Sequence, residues 1–81
     1  MMEEARFKEA LAALGKRIKK IRVGKGLKQK NIEEESDISR SDISKIENGL
    51  KNIELITIVK IADALGVEVY ELFVPDAHPF S

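Results

Sequence analysis

The chain has no cysteine, so disulfides, thiolate metal sites and cysteine nucleophiles are excluded. It has a single histidine, His78, next to Pro79 near the C-terminus, and no nucleophile elbow, phosphate loop or metal-ligand spacing. An enzyme is therefore not expected, nor is a cofactor, a metal or a small-molecule ligand. No apolar run approaches the roughly 18 residues needed to span a bilayer. The segment Met1–Lys8 carries both signs of charge and has no signal-peptide core, so a cytoplasmic location without membrane association is expected. Aromatic residues are scarce, at 5%. With 43% hydrophobic and 35% charged residues, the composition is too apolar for a disordered chain and suits a small helical domain.

Net charge is also absent, which at first argues against a nucleic-acid partner. Its distribution argues the other way. Residues 1–30 hold ten Lys or Arg against three Glu, a balance of +7, and residues 31–81 hold four against eleven Asp or Glu, a balance of −7. Such segregation gives an oriented molecule with one basic face. The 81 residues suffice for one domain, expected over residues 1–75, with 76–81 as a flexible tail. A domain of this size buries only about 60% of its unfolded surface, so a second subunit would help to stabilise it.

The pattern along the chain is helical throughout, which gives an all-α fold class. Phe7, Leu11, Leu14, Ile18 and Ile21 recur at steps of four and three, one face of a helix from about Glu3 to about Val23, closed by Gly24 and Gly26. A short segment, Gln29–Ser36, is anchored by Ile32, and Asp37 falls at a tight turn, where Asp accepts positive φ less readily than glycine. A third segment, Ser39–Asn48, opens with Ser39 and Asp42 in the spacing of a capping box and stops at Asn48-Gly49. Ile43 and Ile46 point inward there, leaving Arg40, Ser41, Ser44 and Lys45 outward, all able to donate hydrogen bonds. Leu55, Ile58, Val59, Ile61, Ala62 and Leu65 form a fourth helix ended by Gly66. Val67, Val69, Leu72 and Phe73 form a last short helix or turn before Pro75. No stretch shows strand alternation.

Two short amphipathic helices joined by a turn of about three residues, the second well capped and donor-rich, form a helix-turn-helix. A helix of that kind fits the major groove, where each base pair presents a distinct donor and acceptor pattern.

The stretches LGKRIKKIR, GLKQ, ISRSDISKIENG and IVKIADALGVEVYELF closely resemble the Cro- and phage-repressor-like helix-turn-helix family, over roughly Leu14–Phe73. The resemblance implies a five-helix lambda-repressor-like domain with the motif at helices 2 and 3, acting as a transcriptional regulator that binds operator DNA as a homodimer. It places Arg40, Ser41, Ser44 and Lys45 on bases. It places Gln29, Ser39 and Asn48 on phosphates, with Gln29 also bracing the first reading residue, and Lys30 and Lys51 are expected on phosphates too. It implies a structural ion pair between Arg22 and Glu47. Of the readers, Arg40 suits a bidentate contact to guanine, while Asp42 suits a cap better than a base contact. Similarity to small restriction–modification controller proteins implies a dimer surface drawn from Ile53, Ile56, Val69, Tyr70 and Phe73. The helix 1 extension, with Phe7 and Leu11, offers a second surface. Core packing is the alternative role for each of these residues.

The chain departs from the family pattern at several positions. Glu33 stands where a small alanine is usual, Asp37 where glycine is usual, and Lys28, Glu54 and Glu68 where Ser or Thr commonly cap helices. Glu33-Glu34-Glu35 would weaken DNA binding if it faced the duplex, and is expected to face away. A protein-interaction module of the same fold, such as an antitoxin or adaptor, is the alternative reading.

Overall fold

A computed structural model describes residues 1–74; Pro75 and the expected tail at 76–81 lie outside the described residues. Four α-helices run in order: α1 (Met2–Gly24), α2 (Gln29–Ser36), α3 (Arg40–Glu47) and α4 (Leu55–Leu65), followed by a 3₁₀ turn at Val69–Phe73. The fold is all-α among the described residues, as the periodicity predicts. The expected fifth helix is the exception. Five residues rich in β-branched and aromatic side chains close a tight turn rather than an α-helix, with the Glu71 N–H bonded to the carbonyl three residues back, at Glu68.

Each element contributes aliphatic side chains to one core: Leu14 and Ile18 from α1, Ile32 from α2, Ile43 and Ile46 from α3, Ile58, Ile61 and Leu65 from α4, and Leu72 from the 3₁₀ turn. No aromatic side chain is buried among the described residues. Helix α1 packs on α3 and on the 3₁₀ turn, while α2 packs on both α3 and α4. The helix-turn-helix is thus braced from below by α1 and from behind by α4.

The backbones of α1 and the C-terminal end of α3 approach each other closely. A Cβ on Gly15 would run into the backbone carbonyl oxygen of Ile46 and come within 2.8 Å of that of Glu47. Only glycine lets the two backbones meet there. The sequence pattern treats Gly15 as an ordinary helix position and gives no sign of this contact.

Candidate nucleic-acid interface

The turn between α2 and α3 is fixed by three residues. Asp37 adopts φ 61°, the left-handed conformation expected of it. Ser36, buried, donates its hydroxyl to the Ile32 carbonyl and accepts the Ile38 N–H at 3.2 Å. Ser39 then caps α3, its Oγ accepting the Asp42 N–H at 3.1 Å. Only this half of the expected capping box forms. The Asp42 carboxylate pairs instead with Lys51 of the following loop, at 3.0 Å from its Nζ.

The Arg40 N–H at the start of α3 is taken instead by Glu33, whose Oε2 accepts it at 2.8 Å. This carboxylate answers the question raised by the missing alanine. Half-buried Glu33 reaches across from α2 and anchors the first turn of the reading helix, where an anion also complements the helix dipole. Of the acidic run, Glu33 alone turns toward α3, while Glu34 and Glu35 are exposed. At α2, Lys28 offers no cap oxygen, and its own N–H is accepted by Asn31 Oδ1 at 2.8 Å. No side chain caps α4 at Glu54; at the 3₁₀ turn the Glu68 N–H is accepted by Glu71 Oε2 at 2.8 Å.

Ile43, Ile46 and Glu47 hold α3 to the domain from its buried face. Glu47 is held by three donors. Arg22 Nε and Nη2 donate to its two oxygens at 2.7 and 3.0 Å, and Gln29 Nε2 donates at 3.0 Å. Arg22 Nη1 donates on to the Leu27 carbonyl at 2.9 Å, so one guanidinium ties α1, the loop before α2 and the end of α3 together. The side chains of the pair are 11% and 2% exposed. Gln29 is therefore a brace of this network, a link that the phosphate role expected of it leaves out.

On the opposite face Arg40, Ser41 and Lys45 are exposed and Ser44 is half-buried, all on one side of α3. Asn48 is exposed at its end, with one amide N–H donated to the Ser44 carbonyl at 2.8 Å. Lys30, Ser39 and Lys51 are exposed around the rim. Leu50, 76% exposed beside Asn48, is a residue that the sequence reading passed over. The face as a whole offers two cations and several neutral donors on a helix whose start and end are both tied down.

The residues expected at a dimer surface divide. Ile53 and Val69 are half-buried against the core. Ile56, Tyr70 and Phe73 are exposed, at 58%, 70% and 57%. Phe7 and Leu11 of the α1 extension wall an open groove of about 670 Å³ together with Leu14, Ile53 and Phe73, so the two expected surfaces meet along one edge. Among the described residues no helix is long and apolar enough to cross a membrane, and no group of acidic or histidine side chains is arranged to hold a metal.

Residues 18–72 match the helix-turn-helix family. Control protein C.MunI of a Mycoplasma species is 38% identical over 60 residues, which are 73% of this chain and 81% of that protein. Control protein C.BamHI of Bacillus amyloliquefaciens is 39% identical over 59 residues, 72% of this chain and 73% of that protein. Among solved structures, the restriction-modification controller protein C.AhdI of Aeromonas hydrophila superposes with a TM-score of 0.76 at 38% identity, over 78% of this chain and 96% of that one.

Proposed function

The chain belongs to the helix-turn-helix family, and on that premise we propose that it is a cytoplasmic transcriptional regulator that binds operator DNA as a homodimer, with α3 in the major groove. The observation that carries this reading is the outward face of α3. Arg40, Ser41, Ser44 and Lys45 project together from a helix anchored by Ser39 and Glu33 at its start and by Glu47 at its end. Rigid presentation of donors is what direct base readout requires. Arg40 takes guanine O6 and N7, Lys45 takes guanine or phosphate, and the two serines act through water. Gln29, Lys30, Ser39, Asn48 and Lys51 position the helix on the sugar–phosphate strands.

One α3 spans only a few base pairs. Two copies related by a two-fold axis would read half-sites about one helical turn apart. Ile56, Tyr70 and Phe73 supply exposed apolar area for that contact. Occupancy then follows protein concentration through dimerisation.

Selection of bound sites from a random DNA pool tests the reading. The expected product is a two-fold symmetric site. Arg40→Ala should weaken binding by about 1–3 kcal/mol and relax the preference at one position of each half-site. Failure to enrich any sequence at low salt would reject operator binding and favour the protein-interaction reading.

A further inference from the structure

On α1, positions 8, 12, 15 and 19 follow one another at steps of four, three and four, so they form a single stripe along the helix. The middle two are small, and α3 sits on them. Gly15 meets the carbonyls of Ile46 and Glu47, and a Cβ on Gly49 would lie 3.0 Å from the Ala12 Cα. The outer two are Lys8 and Lys19, both exposed. The C-terminal end of the reading helix is thus seated between two lysines that lie about 16 Å apart along α1, at 1.5 Å per residue. Among the described residues neither lysine is held in an ion pair.

We infer that Lys8 and Lys19 form a second phosphate-binding edge, flanking the C-terminal end of α3 and extending the DNA footprint onto α1. This rests on the proposed DNA-binding reading and deepens it. The stripe emerges at the border between the buried side of α1, marked by Leu14 and Ile18, and solvent, next to exposed Asn48. With α3 in the major groove, the sugar–phosphate strand beside its C-terminal end runs past this border. Lysine suits the task, as a compact charge on a flexible stem that follows a phosphate without demanding a fixed geometry. Lys8 precedes residue 18, where the family match begins, and Lys19 lies just inside it. The two cations have a second physical effect, since they complement the negative end of the α3 dipole. That effect acts on stability and leaves no mark on the salt dependence of DNA binding.

Counterion release separates the two effects. Each phosphate neutralised contributes about 0.9 to the slope of log K against log salt concentration. The probe is the duplex recovered by site selection, with affinity measured by fluorescence anisotropy over a series of KCl concentrations. Lys8→Gln/Lys19→Gln should reduce the slope by about 3.6 for a dimer, or about 1.8 for a single bound subunit. Lys8→Arg/Lys19→Arg should keep the wild-type slope. Arg6→Gln, which lies about 160° around α1 from Lys8 at 100° per residue, should also keep it. Thermal unfolding of each variant shows that the fold is intact. An unchanged slope in the double Gln variant, against a steep wild-type slope, overturns the α1 edge and leaves operator binding standing. A flat wild-type slope rejects DNA binding itself.

Discussion

At the scale of single residues, the most consequential contact lies behind the reading face. Glu47 is 6% exposed and accepts hydrogen bonds from Arg22 and Gln29. Removing one partner of such a buried pair leaves an uncompensated charge and costs about 3–5 kcal/mol. A domain of this length has on the order of 4–12 kcal/mol in total. Arg22→Ala should therefore lower the urea midpoint severely, although Arg22 lies on the buried side of α3, opposite its outward face. Arg22→Met/Glu47→Leu, which removes both charges, should lose less than the single variant. A loss below about 1 kcal/mol for Arg22→Ala would mean that water reaches Glu47 after all. The pair was legible in the sequence through family resemblance. The third member, Gln29, was not, because spacing alone cannot say that an amide expected on phosphate also turns inward.

At the scale of elements, the helices were legible because their apolar spacing is regular, while the joints between them were not. Periodicity reports which face is buried and says little about how near two backbones come. Gly15 illustrates this. In an open helix Gly→Ala stabilises by about 1 kcal/mol. Here the added methyl would strike backbone carbonyls of α3, which cannot swing aside. Gly15→Ala should destabilise by about 1–3 kcal/mol, as overpacking does. Gly24→Ala, with nothing within 4 Å of the new Cβ, should not. Equal effects at the two positions in denaturant titrations would contradict the close seating of α3 on α1. The turn between α2 and α3 carries the opposite sign. Asp37 holds a left-handed conformation and places a carboxylate at the negative end of α2, so Asp37→Gly should gain about 1 kcal/mol and leave DNA affinity unchanged. Glu33 marks the limit of reading by motif. As a departure from the family pattern it reads as a misfit, and only the geometry turns it into the anchor for the Arg40 N–H.

At the scale of the whole molecule, the unevenness of charge and of apolar exposure together define an oriented particle. The basic half of the sequence supplies α1 and the start of α2, both of which pack against α3. Apolar surplus gathers instead on α4 and the 3₁₀ turn, where Leu55, Ile56, Tyr70 and Phe73 are all more than half exposed. Burying such a patch between two copies is worth about 25 cal/mol per Å² before the cost of association is subtracted. A charge placed in its centre would have to be desolvated without a partner. Ile56→Glu should therefore leave the monomer folded, since Ile56 touches little of its own core. It should halve the sedimentation mass at concentrations where wild type is dimeric, and it should lower operator affinity even though every reading residue is intact. Arg40→Ala should do the reverse, keeping the dimer and losing the operator. Unchanged mass for Ile56→Glu would move the contact off α4, toward the groove walled by Phe7 and Leu11. If both variants lost affinity at unchanged mass, the two subunits would be meeting only on DNA, and occupancy would depend on operator spacing more than on free dimer concentration.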